Sequence, residues 1–328
     1  MDQMMDISES RQMNNWQLLE RFPFPFKGDS YRYSNNSWAL VPPICTDITL
    51  EYVEEVLEKR RLLERYPERT FQSFAHTLNA QWEILDMLMH ELSGVYADYF
   101  SLDKQGDRWT FRNHLLNEEQ AFTFGDVSTL PCEPLDFIGR HMQEDLIYLQ
   151  QRDGDLYMDA GQLCFPANWS LAFDLGMTYL QFHSPVPIYS DSGLAEKVRG
   201  FLLRMEAGKP WTRLNWTINV GTRLDTSPEA FGEWGRGKFD LNAENVGREV
   251  HLRTEDQRLF RIPGSNGILF SIHTHLLPLE MLVQNPDWAQ RFYKVLEDLP
   301  DPIAEYKGFI SYKPLMLEYL RTFAGAEG

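Results

Sequence analysis

Arg213-Leu-Asn-Trp-Thr-Ile-Asn-Val220 alternates without a break, with Leu214, Trp216, Ile218 and Val220 on one face and Arg213, Asn215, Thr217 and Asn219 on the other. A period of two that sorts apolar from polar side chains predicts a half-buried β-strand. Downstream, Glu249 to Ile262 reads as a second strand and Ile268 to Leu277 as a third, joined through the turn cluster Pro263-Gly264-Ser265-Asn266-Gly267. Upstream, Ser192 stands where an N-cap would precede a helix whose apolar face is Leu194, Val198, Phe201, Leu202 and Met205, ending at Gly208. Farther back, Tyr157 to Phe165 is short and strand-like, with Gly161 at a tight turn.

The N-terminal half has a different period. From Asp47, the spacing of Leu50, Val53 and Leu57, followed by the charged stretch Glu58 to Arg61, predicts an amphipathic helix. A second helix is predicted by Phe74, Leu78, Trp82, Leu85, Met89 and Leu92, and a third over Phe137 to Leu149 by Ile138, Met142, Leu146 and Leu149. Two more helical segments fall near Trp288 to Leu296 and Pro314 to Arg321. Before all of these, Phe22-Pro23-Phe24-Pro25-Phe26 reads as an extended arm that docks its rings on a surface.

A strand pair, short helices, a long helix and three strands follow one another in the order of a PAS-type domain. Gly176-Met-Thr-Tyr-Leu-Gln-Phe-His183-Ser-Pro also resembles the connector that precedes the long helix of that fold. The expected class is therefore α+β: a PAS-like antiparallel sheet flanked by helices on one face, with a mainly helical N-terminal half. The expected division is an arm and helical region over 1–150, the PAS-like core over 151–280 and a C-terminal helical extension over 281–328. Fold alone licenses no function.

Composition excludes more than it selects. The chain has 328 residues, 43% hydrophobic and 24% charged, enough for a sizeable core. Its 48 acidic against 31 basic residues give a net charge of −17, which repels phosphate backbones and argues against nucleic-acid binding. Three scattered cysteines, Cys45, Cys132 and Cys164, cannot hold an iron–sulfur cluster or a Cys-rich zinc site, and buried reduced thiols are expected. The opening MDQMMDISES has no basic or apolar signal region, and no apolar run approaches the ~20 residues of a membrane span. A cytoplasmic protein is the expectation.

Several motif classes fail. His90-Glu91 has Gly94 where a zincin needs its second histidine. The glycines of Gly232-Glu-Trp-Gly235-Arg-Gly237 follow no strand at nucleotide-binding spacing, and no P-loop or nucleophile elbow occurs. Three segments remain. His273 and His275 share a strand face, suited to a metal with a third ligand, to contact with a flat cofactor or its oxygen, or to ordinary structural hydrogen bonds. His183 precedes Ser184-Pro185-Val186-Pro187, where two prolines stiffen the backbone; this suits an axial haem ligand, and equally a histidine that caps its helix. Arg253 and Glu255 share a face with Gln257, as a solvated edge or as a pocket that binds a propionate and holds an ammonium.

Together these stretches resemble the haem-dependent oxidative N-demethylase family. The resemblance is carried by Lys59-Arg-Arg-Leu-Leu63, Gln143-Glu-Asp-Leu146, Cys164-Phe-Pro-Ala-Asn-Trp169 and His183-Ser-Pro-Val-Pro187. It continues through Arg213-Leu-Asn-Trp216, Arg253-x-Glu255-x-Gln257, Leu269-Phe-Ser-Ile-His-Thr274 and Leu317-Glu-Tyr-Leu320. No single tract decides it; their order and spacing do.

The resemblance implies a haem b subunit that oxidises a small dimethylamine-like substrate to a less methylated amine and formaldehyde. Dioxygen is consumed, and NADPH electrons arrive through flavin (FMN) and 2Fe-2S groups on separate reductase chains, hence a hetero-oligomer. It places the iron's axial ligand at His183, cofactor contacts at Trp169, Arg213, Trp216 and His273, and catalytic roles at Glu255, Arg253 and His275. Two departures stand out: Asp174, two before Gly176, and Asp256 replace basic residues usual in the family, which bears on propionate anchoring, the reductase contact or the substrate. The competing readings are a PAS-type haem sensor, against which the lack of an output domain in the sequence counts, and a haem-less, non-catalytic subunit.

Overall fold

The computed structural model describes residues 15–32, 34–189 and 192–325; the opening ten residues, on which the signal-peptide reading rests, lie outside them. The chain begins with α1 (Asn15–Arg21), β1 (Trp38–Ala39), α2 (Tyr52–Arg65), α3 (Pro67–Thr70), β2 (Phe71–Ser73) and α4 (Leu78–Val95). Next come β3 (Phe100–Gln105), β4 (Arg108–Asn113), β5 (Glu118–Thr123), α5 (Pro134–Gly139), β6 (Asp145–Arg152) and β7 (Asp155–Gln162). Short α6 (Leu171–Asp174) and α7 (Tyr179–Phe182) lead to α8 (Leu194–Leu203), β8 (Trp211–Val220), α9 (Phe231–Trp234) and α10 (Val246–Glu249). The long strands β9 (Val250–Arg261) and β10 (Ile268–Pro278) precede α11 (Leu279–Leu282), α12 (Pro286–Asp298), α13 (Asp301–Tyr306) and α14 (Lys313–Arg321).

The class is α+β, with a mostly antiparallel sheet. Seven strands follow the order β1-β8-β9-β10-β6-β7-β2, and β3-β4-β5 form a separate sheet. The first strand of the hairpin, β6, pairs with the last, β10, in the register Leu146↔Ser271 and Tyr148↔Leu269. That is the strand order the PAS-like reading requires. Among the described residues no helix is long and apolar enough to cross a membrane.

The three expected strands, Arg213 to Val220, Glu249 to Ile262 and Ile268 to Leu277, are present as β8, β9 and β10, but some expectations need correction. Phe137 to Leu149 is not one helix: α5 stops at Gly139 and β6 starts at Asp145. Leu146-Ile147-Tyr148-Leu149 is a continuous buried apolar run, and such a run looks the same in a buried strand and a buried helix. Gly161 lies inside β7 opposite Ile147, not in a turn; a Cβ there would sit 2.7 Å from Ile147 Cδ1 and 3.0 Å from Leu171 Cδ1. Close packing, not chain reversal, explains that glycine. The N-cap of α8 is Gly193 at φ 69°, while Ser192 Oγ accepts from Leu194 N–H at 3.3 Å and donates to Tyr189 O at 3.1 Å, and α8 ends at Leu203 rather than Gly208. The sheet β3-β4-β5 was not anticipated, although Trp109 and Phe111 of β4 alternate as a strand does and are buried.

The described residues form two compact units from discontinuous segments: those within 1–35, 214–256 and 274–328 in the first, and those within 36–213 and 257–273 in the second. In the first unit, Trp216, Ile218, Leu252, Leu277, Phe292 and Phe309 belong to one apolar core. The aromatic arm docks there as expected: Phe24 stacks on Trp288 at 4.4 Å and 2°, and Phe26 meets Trp216 edge-on at 5.0 Å. In the second unit, α4 supplies Trp82, Leu85, Met89 and Leu92 to a core shared with Phe100, Phe111, Tyr148 and Leu269. Cys45 and Cys164 are buried free thiols; Cys132, also free, is only half-buried.

Candidate functional site

In the second unit, His183 sits at the C-cap of α7, a single turn opened by a capping box in which Thr178 and Gln181 bond each other's backbone. Its Nδ1 lies 2.9 Å from the carbonyl oxygen of Tyr179. A carbonyl can only accept, so Nδ1 carries the proton and Nε2 keeps the lone pair. Three rings surround the imidazole: Tyr179 at 4.3 Å, Phe182 at 4.6 Å and Tyr189 at 5.3 Å. Burial pushes the imidazole pKa down to about 4, opposed by the Tyr179 carbonyl and reinforced by the charge of Arg213. At neutral pH His183 is therefore a neutral ring with one available nitrogen, the state in which imidazole binds a metal.

Arg213, on β8, is half-buried, and its Nε is fully sheltered with no hydrogen-bond partner among the described residues. A buried guanidinium donor without an acceptor is costly in a folded chain unless something else fills the role. Trp169 is half-buried in the loop between β7 and α6, just after Asn168 at φ 61°. Asp145 anchors the start of that loop by accepting from Cys164 N–H at 2.8 Å and Phe165 N–H at 2.7 Å. The buried Lys59 Nζ lies 3.7 Å from Asp145 and donates to the Glu144 carbonyl. Three of the sequence tracts quoted above thus meet in one buried polar cluster that holds the loop leading to Trp169.

His273 is also in the second unit, but its environment is different. Nδ1 lies 3.4 Å from Glu144 Oε1, and Nε2 3.8 Å from Glu55 Oε2. Burial alone would lower its pKa; the two carboxylates outweigh that and raise it to about 10. In this cationic state the imidazole has no free lone pair and instead bridges the two carboxylates. Among the described residues no group of three or more His, Cys, Asp or Glu is placed to hold a metal ion. Glu144 is fixed in turn by Asp47 N–H at 2.7 Å. Asp174, one of the two departures, is buried, and burial raises its pKa to about 6.

In the first unit, Arg253 and Glu255 do share a face of β9. Arg253 is completely buried; Nη1 donates to Leu224 O at 2.7 Å, Nη2 to Thr274 Oγ1 at 3.2 Å, and Nε lies 3.5 Å from Glu255 Oε1. Asn215 Nδ2 donates to Glu255 Oε2 at 3.2 Å. This carboxylate is held from both sides, which rules out the solvated-edge reading of the strand. Trp216 departs from its expected role as a cofactor contact: its ring packs in the apolar core against Phe26, Phe292 and Phe309, with Lys307 Nζ 4.9 Å from its centroid. Alternation put Trp216 on the apolar face of β8, and that face is the core. His275 lies half-buried in β10.

Sequence reasoning missed Tyr179 and Tyr189, whose hydroxyls meet at 2.6 Å beside His183. Tyr189 lies beyond two prolines, and no periodicity links it to the histidine. Thr274 and the Leu224 carbonyl, both on Arg253, were also missed; a backbone acceptor leaves no trace in a sequence.

The model of one protein family, described as haem-dependent oxidative N-demethylase, alpha subunit-like, matches residues 42–317. That span contains every site residue named above. The description makes the family haem-dependent and oxidative, and an alpha subunit is one component of a larger assembly. With nearly the whole chain matched, this protein belongs to the haem-dependent oxidative N-demethylase, alpha subunit-like family.

Proposed function

We propose that this chain is the haem b-binding subunit of an amine monooxygenase, with His183 as the residue that would ligate the iron. The reaction removes a methyl group from a small methylated amine such as dimethylamine. The amine, dioxygen, NADPH and a proton become the less methylated amine, formaldehyde, water and NADP⁺. Electrons come from a separate reductase carrying FMN and a 2Fe-2S cluster, since the three cysteines of this chain are scattered.

The observation that carries the reading is the His183 tautomer. Its Nδ1–H is committed to the Tyr179 carbonyl, its Nε2 keeps a lone pair to offer a metal, and aromatic rings surround it. Ligating histidines are commonly oriented in this way, by a hydrogen bond from the second nitrogen. The orphaned Nε of Arg213 also fits the cofactor, because a propionate would supply the missing acceptor. Trp169 would offer a flat apolar wall. Haem, once bound, supplies the centre at which dioxygen is reduced and an N-methyl C–H bond is oxidised.

The protein's own part is to hold the amine and manage its proton. Glu255 is the carboxylate assigned to this role, accepting from the ammonium and releasing the free amine lone pair. Arg253 and Asn215 hold its two oxygens in place, so its orientation does not depend on the substrate. His275 is assigned to hydrogen bonding with oxygen or substrate, and His273 to contact with the cofactor. The hydroxylated product, a carbinolamine, releases formaldehyde as its O–H proton moves to the departing nitrogen. The test is oxygen uptake and formaldehyde release by the purified chain with haem, a reductase and dimethylamine. Haem binding without amine-dependent uptake would favour the sensor reading instead.

A further inference from the structure

We propose that Tyr179 and Tyr189 form a phenol clip that fixes the plane of the His183 imidazole, making them positioning residues for the iron ligand. The inference rests on His183 being that ligand.

The clip closes a short loop on itself. Tyr179 opens α7, and its backbone carbonyl accepts the Nδ1–H hydrogen bond of His183 one turn later. The chain then turns back: Val186 N–H donates to His183 O at 3.1 Å, and Tyr189 N–H to Val186 O at 3.3 Å. Pro185 and Pro187 fix φ in the interval. Ile188 sits at φ 67°, a region that a β-branched residue enters only when its surroundings force it. That strained residue delivers Tyr189 to His183, where its hydroxyl meets that of Tyr179 at 2.6 Å. Both phenols are buried, at 5% and 9% exposure. The imidazole thus has Tyr179 on it at 4.3 Å and Tyr189 at 5.3 Å, and the two rings are tied at their far ends.

A single hydrogen bond to Nδ1 leaves the imidazole free to swing about that bond. Two rings linked through their hydroxyls remove this freedom. The plane of an axial imidazole governs its overlap with the iron orbitals, so fixing the plane fixes the strength of the iron–histidine bond. Outer partners of this kind change metal affinity or activity by about 10- to 100-fold when removed.

Tyr189→Phe and Tyr179→Phe each delete one hydroxyl and keep the ring, so packing is preserved. In the haem-loaded chain, either change should shift the ferrous iron–histidine stretching band in resonance Raman spectra. Haem loss to apomyoglobin should quicken by about tenfold. The double variant should do no more than either single, because both break the same bond. In the haem-free chain, ¹⁵N-labelled histidine should show a shorter-lived Nδ1–H on His183 in each variant. An unchanged band and unchanged haem loss in both single variants would overturn the clip, as would additive effects in the double. A shortened Nδ1–H lifetime, together with a wild-type iron–histidine band in His183→Ala, would overturn the ligand assignment on which the proposal rests.

Discussion

Replacing His273 by Gln removes a buried cation from between two carboxylates and keeps a side chain of similar reach. In the native chain the folded pKa is about 10, against 6.5 for a free histidine. The folded state therefore binds the proton more tightly. Its stabilisation is full below pH 6.5 and fades as pH rises towards 10. At about 1.36 kcal/mol per pH unit, the ceiling on that contribution is about 5 kcal/mol. At pH 7 the variant also leaves Glu144 and Glu55 facing each other without the cation, and breaking a buried pair costs about 3–5 kcal/mol. Asp47 N–H still holds Glu144, and Arg258 lowers its pKa by its charge, so the lower end of that range is expected. Urea unfolding at intervals from pH 6 to pH 10 measures the difference between the two proteins. It should be several kcal/mol at pH 6–7 and shrink steadily above that. A difference that stays constant across the range would refute the argument. It would also make His273 a neutral imidazole, available to hydrogen-bond a cofactor in a quite different way.

Three further outcomes follow from the same contacts. Glu255→Gln keeps the hydrogen bond to Asn215 but not the charge; haem content should persist while turnover falls about a hundredfold or more, and unchanged turnover would remove Glu255 from the chemistry. Asp174 has its pKa raised to about 6 by burial, so its ionisation destabilises the fold as pH rises from 3.8 through 6. Asp174→Asn should accordingly raise the urea midpoint at pH 7.5 and leave it unchanged at pH 4. Gly161→Ala pushes a methyl towards Ile147 and Leu171 and should cost about 1–3 kcal/mol in urea unfolding; no change would mean that β7 has room the packing does not show.

Legibility differed between the two levels of structure. The strand β8 was readable because its side chains alternate, and β9 and β10 because the turn cluster Pro263 to Gly267 separates them. Within β8 the alternation even separated Trp216, in the core, from Asn215, on Glu255. β6 was not readable, because a strand buried on both faces has no polar side to set its period. At the site, Arg253 and Glu255 could be paired from the period of two alone. His183 was conspicuous for its prolines, yet nothing in the sequence shows that its Nδ1 proton goes to the Tyr179 carbonyl. The partners of His273 were equally hidden: Glu55 and Glu144 are 218 and 129 positions away in the sequence, and only the fold brings them to it. That encounter raises the pKa of a histidine whose sequence neighbours show no carboxylate beside it.

The central claim is that the neutral, Nε2-available His183 holds a haem. The most direct measurement is the visible absorption spectrum of the purified full chain beside His183→Ala, with haem quantified in each. A histidine-ligated haem spectrum is expected in the wild type and should be lost or altered in the variant. A colourless wild-type chain that takes up no added haem, or a variant with an unaltered spectrum, would contradict it.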